Sequence, residues 1–227
     1  MIVSPLIGRK SVVGVLKLQS PQPRAFSEED IQTVKLMSEL IGAAILHATD
    51  HERMEIESRE LFIRATQDSL TGLANRSLFF DRLRQQIAVA KRDQTRIGIL
   101  LIDMNNLKAL NDNVGHHAGD AALKELGARI TSATRATDTV ARLGGDEFTV
   151  ILPSIHAREG AEMSSKRIKE FIQAPFSHDG MQCPLSASIG IAIYPDDSEE
   201  IGALIEKADA DMYECKRAFK AAQIEMP

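Results

Sequence analysis

The sequence lacks the features that mark secreted, membrane-spanning and general nucleic-acid-binding proteins. Its two cysteines, Cys183 and Cys215, are too few for a disulfide framework and are not spaced as metal ligands, so we expect free thiols in a reducing cytoplasm. The longest apolar runs, such as ILLI at 99–102, fall far short of the roughly 20 residues that a membrane span needs. Residues 1–10 lack the cationic start and long apolar stretch of a signal peptide. The net charge of −5, from 27 Lys and Arg against 32 Asp and Glu, argues against a nucleic-acid partner.

What the chain does contain is typical of a folded globular protein. Apolar residues make up 44% of the 227 residues and charged residues 26%, a balance that is unusual for a disordered chain. Domains commonly span roughly 100–200 residues, so the chain accommodates one full domain plus a smaller piece. We find no internal repeat and no low-complexity segment.

The N-terminal part is predicted to form a strand followed by a helix. Residues 12–19 alternate apolar and polar side chains, and Pro21 and Pro23 end the strand. Ser27 is a typical N-cap residue and Asp30 follows three residues later, so a helix is predicted to begin directly after the cap. Because a strand and one helix cannot form a domain alone, we expect this part to be the back end of a domain whose front is missing.

The predicted helix continues to about Thr66, which is long for a globular protein. Gly42 is the only glycine inside it, and its apolar residues form a narrow stripe. This combination is typical of a two-stranded coiled coil or a signalling linker, and the alternative is two ordinary helices with a break near residue 50. The stripe consists of Ile31, Val34, Met37, Leu40, Ile41, Ala44, Ile45 and Ala48.

From Asp68 onward the pattern of elements changes. A turn at 70–73 precedes an alternation of helices and strands, with a tight hairpin at Gly144 and Gly145. The core order βααββαβ predicts an α+β fold with a ferredoxin-like sheet. We predict helices at 75–91, 107–112, 119–134, 156–173 and 199–218, and strands at 96–103, 138–143, 147–152 and 185–193.

The hairpin carries the first group of residues that suggests chemistry. Gly144 and Gly145 both accept positive φ angles and, without side chains, let another molecule approach the backbone. Asp146 and Glu147 follow at once, before an apolar strand. The alternative is a plain turn with solvated acids, but a turn alone does not need two adjacent carboxylates in this place.

A second group follows the apolar strand that ends at Asp103. Its carboxylate is expected to emerge at the end of the strand, close to Asp146 or Glu147, where hard oxygen ligands suit Mg²⁺. Lys108 lies in the first turn of the next predicted helix, where an ammonium group and free backbone N–H groups can hold phosphate. The Asn111 amide both donates and accepts hydrogen bonds, as the edge of a purine requires. Taken singly, each of these residues is equally well explained as a loop polar or a cap.

Five ordered motifs together resemble the GGDEF domain of diguanylate cyclases. They are DSLTGLANR (68–76), D-x4-K-x2-N-D-x2-G-H-x2-G-D (103–120), RLGGDEF (142–148), SASIGIA (186–192) and ADxDMYxxK (208–216). Members of this family condense two GTP into cyclic di-GMP and two pyrophosphates, with one GTP held by each half of a dimer. The resemblance therefore implies a nucleotidyl cyclase-like fold and a homodimeric enzyme that depends on Mg²⁺ or Mn²⁺.

The resemblance also implies roles for individual residues. Asp103, Asp146 and the Met104 carbonyl match metal ligands, and Glu147 matches either a further ligand or the group that assists deprotonation of the ribose 3′-hydroxyl. Arg135 and Asp138 match the R-x-x-D inhibitory site, where cyclic di-GMP binds away from catalysis; the alternative is an ordinary charged strand entry. Nucleotide contacts are implied for Asn111 and Asp120 with guanine, for Lys108, Lys216 and Lys220 with phosphate, and for Gly144 and Gly145 with the nucleotide.

Some positions depart from the family pattern. Asn105 and Leu107 stand where the family usually has Asp and Phe, and neither change removes an implied metal ligand. Phe219 stands where the family commonly has glycine, which leaves the local backbone open. Lys220 replaces the usual arginine, so we expect a weaker hold on phosphate, because a lysine offers a point charge instead of a bidentate fork.

The N-terminal part resembles the last strand, the proline loop and the closing helix of a GAF sensor domain. We therefore predict a GAF-like fragment at 1–46, a helical coiled-coil linker at 47–67 and a GGDEF domain at 68–227. The leading functional hypothesis is an active diguanylate cyclase. One alternative is a catalytically silent GGDEF module that binds GTP or cyclic di-GMP. The other is a cyclase that makes cyclic AMP or cyclic GMP, and the residues Asn111 and Asp120 argue against it.

Overall fold

The computed structural model describes residues 1–9, 11–23 and 25–224, so the last three residues of the predicted 68–227 domain lie outside the described part. The chain divides into two compact units, Met1–Phe62 and a second that begins at Ile63. No helix of the described ranges is both long enough and apolar enough to cross a membrane.

The first unit contains a β-hairpin and most of a long helix. Strands β1 (Ile2–Gly8) and β2 (Ser11–Leu18) pair antiparallel, and α1 runs from Glu28 to Thr66. Strand β2 confirms the predicted strand, whereas β1 was not predicted because Pro5 interrupts its pattern. A proline is tolerated there because this short two-stranded sheet has only edge strands.

Helix α1 begins with a reciprocal cap. The Ser27 N–H donates to Asp30 Oδ2 over 2.7 Å, and the Asp30 N–H donates to Ser27 Oγ over 3.2 Å. The helix is continuous to Thr66, so the predicted length is confirmed and the alternative of a break near residue 50 is wrong.

The apolar stripe predicted for α1 does not lie on one covered face. Val34, Ser38 and Gly42 are buried, and Gly42 lies against the backbone of Ile7. Leu40, although part of the predicted stripe, is 71% exposed. The stripe therefore divides between a face covered by the hairpin and a face left open in the single chain.

The second unit contains every element predicted for it. Helix α6 continues past the predicted end at residue 218, and a short hairpin after α5 was not predicted because each of its strands has only three residues. The helices are α2 (Arg76–Asp93), α3 (Leu107–Val114), α4 (His116–Ala133), α5 (Arg158–Ile172) and α6 (Ile201–Ile224), and the strands are β3 (Arg96–Met104), β4 (Thr139–Gly144), β5 (Glu147–Ile155), β6 (Phe176–His178), β7 (Met181–Cys183) and β8 (Ala187–Tyr194).

The main sheet has the strand order β4-β5-β3-β8, and all neighbouring strands are antiparallel. This order confirms the predicted α+β fold with a ferredoxin-like sheet. The central strand β3 is buried on both faces, which explains why its sequence is a continuous apolar run instead of an alternation.

The two faces of β3 determine where the functional side chains lie. Leu100 and Ile102 pack into a core shared with α4 and α5, whereas Ile99 and Leu101 pack into a core shared with α2 and α6. Because side chains alternate along a strand, Asp103 belongs to the face that α2 and α6 cover.

Candidate active site

The site is built around two carboxylates on neighbouring strands. Asp103, near the end of β3, is the register partner of Glu147, the first residue of β5. On β5 the side chain of Ile151, four residues after Glu147, packs into the core shared with α2 and α6, so Glu147 and Asp103 lie on the same face of the sheet. The fold therefore places Asp103, at the end of its strand, beside Glu147 of the hairpin, as the sequence predicted.

The glycine turn positions Asp146, the acid that directly precedes Glu147. Gly144 and Gly145 have φ angles of 144° and 53°, in the region that favours glycine. The chain then turns so that the Asp146 carbonyl accepts a hydrogen bond from the Met104 N–H over 3.1 Å. This bond brings the backbone of Asp146 to the end of β3, beside Asp103.

A lysine from α6 completes the cluster. Lys216 Nζ donates to Asp103 Oδ1 over 2.7 Å, and the Asp103 side chain is only 9% exposed. Burial raises the pKa of Asp103, and the charge of Asp146 adds to that increase, while Lys216 and the more distant Lys220 oppose it. The carboxylate therefore lies where a negative charge is costly and a cation is already its partner.

Glu147 is more exposed than Asp103, but its pKa is shifted in the same direction. Its pKa is raised by burial first, and then by the negative charges of Asp103, Asp146 and Asp209, while Arg76 opposes the increase. Two carboxyls with raised pKa values, next to the charge of Asp146 and to a turn without bulky side chains, make a site that suits a divalent cation.

The residues present fit a hard cation, with the ligands shared between side chains and backbone. Asp103, Asp146 and Glu147 supply carboxylate oxygens and Met104 supplies a nearby carbonyl. Within the described ranges, no set of three or more His, Cys, Asp or Glu side chains is already arranged as a metal centre. The ammonium group of Lys216 occupies one Asp103 oxygen instead.

A second group of residues lies on α3 and α4. Asn111 Oδ1 is buried and, among the described residues, has no hydrogen-bond partner. It lies against Gly119, where an added Cβ would come within 1.9 Å of Asn111 Oδ1. Asp120, the next residue on α4, is exposed, as is Lys108 on α3. The structure therefore brings the two predicted guanine readers to neighbouring helices, whereas Lys108 lies at the surface.

The departures near residue 219 leave the helix intact. Helix α6 runs unbroken through Phe219, so the side chain that replaces glycine does not change the backbone there. Phe219 lines a cavity with Cys183 and Leu185, and Lys220 is exposed. Both cysteines are free thiols.

Sequence reasoning assigned no role to a buried ion pair beside the glycine turn. Arg142 Nη1 donates to Asp68 Oδ1 over 2.9 Å, and the two side chains are only 10% and 20% exposed. The same guanidinium donates to the Gly145 carbonyl over 2.6 Å and 3.0 Å. Asp68 also accepts from the Thr71 N–H and hydroxyl. Both residues are members of the recognised motifs, but nothing in their spacing indicated that they pair.

A second interaction that was missed supports the strand end. Ser188 Oγ donates to Asn105 Oδ1 over 2.9 Å, and both residues are buried. The Asn105 N–H donates to the Ser186 carbonyl over 2.9 Å. Asn105, which departs from the family pattern, therefore connects the segment after Asp103 to β8 and to the residues just before β8.

The predicted inhibitory pair lies elsewhere on the sheet. The Arg135 N–H donates to Asp138 Oδ2 over 2.7 Å, and the Asp138 N–H donates back to the Arg135 carbonyl over 3.0 Å. Both residues line a cleft with His156 and Glu159. Because they precede β4 whereas the glycine turn begins at its last residue, Gly144, roughly six residues or 20 Å of strand separate the two places.

Comparison with known families agrees with this geometry. The profile of the family "Diguanylate cyclase, GGDEF domain" matches residues 65–221, and the profile of the GAF domain matches residues 1–45. The first match contains the carboxylate cluster, α3, α4 and the R-x-x-D turn, and the second contains the hairpin and the first part of α1.

Individual relatives are similar over most of the chain. The bifunctional diguanylate cyclase/cyclic di-GMP phosphodiesterase MucR of Pseudomonas aeruginosa is 43% identical over 159 residues, which are 70% of this chain and 23% of MucR. The diguanylate cyclase TpbB of the same organism is 33% identical over 224 residues, which are 98% of this chain and 52% of TpbB. This chain thus spans about half or less of the length of these relatives.

Solved structures support the same assignment. The crystal structure of the TpbB GGDEF domain superimposes with a TM-score of 0.65 and 39% identity, covering 67% of this chain and 89% of that domain. The coiled coil and GGDEF domain of DgcB from Caulobacter crescentus, solved in complex with c-di-GMP, gives a TM-score of 0.67 and 28% identity over 76% of this chain and 91% of DgcB. This chain therefore belongs to the GGDEF-domain diguanylate cyclases, and its GGDEF domain follows a segment that matches a GAF domain.

Proposed function

We propose that this chain, as a homodimer, condenses two GTP molecules into cyclic di-GMP and two pyrophosphates. The observation that carries the proposal is the pairing of Asp103 with Glu147 across β3 and β5, with Asp146 bound to the same strand end. Each 3′-oxygen attacks the α-phosphorus of the other GTP, and pyrophosphate leaves from each. Two such bonds close the ring, so two half-sites are needed.

We propose Mg²⁺ or Mn²⁺ as the cofactor, held by Asp103, Asp146, Glu147 and the Met104 carbonyl. When bound, such an ion polarises phosphoryl oxygens and lowers the pKa of a nearby hydroxyl. Glu147 is the candidate for receiving the 3′-hydroxyl proton, because its carboxylate lies at the open end of the strand pair and is the most exposed of the cluster.

We propose that the remaining predicted residues bind GTP. Asn111, whose buried oxygen has no partner among the described residues, and Asp120 read the guanine edge, since a carboxylate accepts from guanine N–H groups that adenine lacks. Lys216 leaves Asp103 to contact phosphate when GTP arrives, and Lys108 and Lys220 add positive charge. Gly144 and Gly145 have no side chains, so the nucleotide can approach the backbone of the turn closely.

We further propose product inhibition at Arg135 and Asp138. Their cleft is lined by charged and polar side chains, and its guanidinium and carboxylate suit the phosphates and guanine edges of cyclic di-GMP. DgcB, which is similar to this chain, was solved in complex with c-di-GMP.

The domain organisation remains part of the proposal. Residues 1–46 are assigned to a GAF-like fragment, 47–67 to a coiled-coil linker and 68–227 to the cyclase domain. The two free thiols and the need for GTP support a cytoplasmic location for this chain.

The test is to incubate the purified chain with GTP and Mg²⁺ and to separate the products by chromatography. We expect cyclic di-GMP and pyrophosphate in a 1:2 ratio, and none with a chelator or with ATP in place of GTP. Binding of GTP without product, at protein concentrations where the chain is dimeric, would favour the silent receptor. Release of cyclic GMP would instead favour a mononucleotide cyclase.

A further inference from the structure

The open face of α1 carries a regular repeat. It lies opposite the buried Val34, Ser38 and Gly42, and its spacing alternates between three and four residues. This is the a/d spacing of a heptad repeat, and every member is exposed in the single chain. Its members include Met37, Leu40, Ala44, His47, His51 and Met54.

A second copy of this chain is the occupant that fits this face. The proposed function, on which this inference rests, requires two catalytic domains, and two parallel copies of α1 in register place identical residues at the same level. The same spacing continues through Ser58 to Leu61, so the seam extends into the polar half of the helix. The hairpin buries Val34, Ser38 and Gly42 on the other side of α1, and Arg9 in its turn is ion-paired with Asp50, beside the seam.

Two histidines occupy the centre of this seam. His47 and His51 are four residues apart, so their side chains lie on one face of the helix with Cβ atoms roughly 5–6 Å apart. Histidines at this spacing bind divalent metal ions in other helices. Between the apolar Ala44 and Met54, two adjacent polar layers weaken association unless something satisfies them.

Glu55 supplies an independent feature of a metal site. Its Oε1 lies 3.3 Å from His51 Nε2, one turn further along α1. A metal-binding histidine commonly gives its other ring N–H to a carboxylate, which fixes the tautomer. The contact with Glu55 uses Nε2 of His51 and leaves Nδ1 as the ring nitrogen available to a metal ion.

We propose that His47 and His51 from two copies of the chain bind one divalent transition-metal ion of the zinc class between the helices. Four imidazole nitrogens satisfy the tetrahedral preference of Zn²⁺, and imidazole suits zinc better than Mg²⁺. One chain offers only two of the four ligands, and no complete metal centre exists among the described residues of a single chain. The site thus forms only in the dimer and joins the two linker helices.

The experiment is a calorimetric titration of the chelator-treated full chain with ZnCl₂. Millimolar Mg²⁺ is present throughout, so that the catalytic acids are already occupied. We expect one Zn²⁺ per two chains and a larger dimer fraction in analytical ultracentrifugation. The double variant His47→Ala/His51→Ala should lose at least ~100-fold in affinity, and Glu55→Gln about 10-fold. His117→Ala, which removes an exposed histidine elsewhere, should change neither value.

The outcomes separate this inference from the proposed function. Cyclic di-GMP formation without added zinc should be unchanged in His47→Ala/His51→Ala, because neither residue belongs to the proposed nucleotide site. A dimeric, active chain that binds no zinc, or that binds it equally well without these histidines, would overturn the metal site alone. A chain that makes no cyclic di-GMP would overturn the proposed function, whatever its zinc binding.

Discussion

At the scale of single residues, the cyclase site concentrates negative charge where the protein disfavours it. Burial and mutual repulsion raise the pKa values of Asp103 and Glu147, and Lys216 donates a hydrogen bond to Asp103. Such a cluster costs stability in the free chain, and the proposed divalent cation would relieve this repulsion.

Replacing Glu147 should therefore separate activity from stability. We expect Glu147→Gln to lower cyclic di-GMP formation at least ~100-fold, since the amide neither binds the metal as a carboxylate nor accepts the proton. The free energy of unfolding, measured in urea at pH 7, should stay the same or increase, because one of three repelling charges is gone.

Glu170→Gln, which neutralises an exposed acid on α5, is the matched control and should change neither quantity. Undiminished turnover of Glu147→Gln would show that another group binds the metal and accepts the 3′-hydroxyl proton.

Asp68 should make stability depend on pH in the acid range. Burial alone would raise its pKa, but hydrogen bonds from Thr71 and Arg142 outweigh it and lower the pKa. A lowered folded pKa adds stability above the unfolded value of about 3.9, and that stability is lost as pH falls through the folded value. Asp68→Asn should lower the free energy of unfolding by about 1.5 kcal/mol at pH 7 and flatten its decrease below about pH 4.

Urea titrations from neutral to acid pH measure both effects. Asp81→Asn, at an acid on the surface of α2, should follow the unmodified chain. Equal acid sensitivity in Asp68→Asn and the unmodified chain would show that the Asp68–Arg142 pair does not stabilise the turn.

At the scale of elements, β3 and α1 show how one sequence pattern serves two purposes. The apolar run of β3 fills both cores and delivers Asp103 at the point where the run ends. Helix α1 instead divides its apolar residues, so that one face packs on the hairpin and the opposite face stays open. Gly42 is essential to the first face because the hairpin backbone approaches the helix there.

Gly42→Ala should loosen the hairpin although alanine favours helix by about 1 kcal/mol. A Cβ at this position would lie 2.6 Å from the Ile7 carbonyl oxygen, and backbone cannot move aside cheaply. We expect faster hydrogen exchange at the amides of β1 and β2. Gly202→Ala on α6, where nothing lies within 4 Å of an added Cβ, is the control and should leave exchange unchanged. Slower exchange in Gly42→Ala would contradict the packing.

At the scale of the whole molecule, the GGDEF domain separates the carboxylate cluster from the cleft that Arg135 and Asp138 line. The carboxylate cluster and the Arg135–Asp138 cleft lie at opposite ends of β4, so a ligand can occupy one without touching the other. The inhibition proposed for this cleft would therefore act through the pairing of two copies and not by contact with the carboxylates.

Arg135→Ala should relieve inhibition by cyclic di-GMP. Losing hydrogen bonds to a charged group corresponds to a roughly 10- to 100-fold higher inhibitory concentration. The initial rate without product should hardly change, because Arg135 lies away from the carboxylates. Arg82→Ala, an exposed arginine on α2, serves as the control. Inhibition that is equally strong in Arg135→Ala would show that the product acts elsewhere.

The sequence by itself determined the order of helices and strands, the acid at the end of β3 and the glycine turn before Glu147, since these follow from local patterns of apolar residues, caps and glycines. The tertiary structure alone decided that Lys216 pairs with Asp103 and Arg142 with Asp68, partners 113 and 74 residues apart. It also decided that the stripe of α1 serves two faces. Local spacing carries no information about which distant side chains meet, because that depends on how the strands are ordered in the sheet.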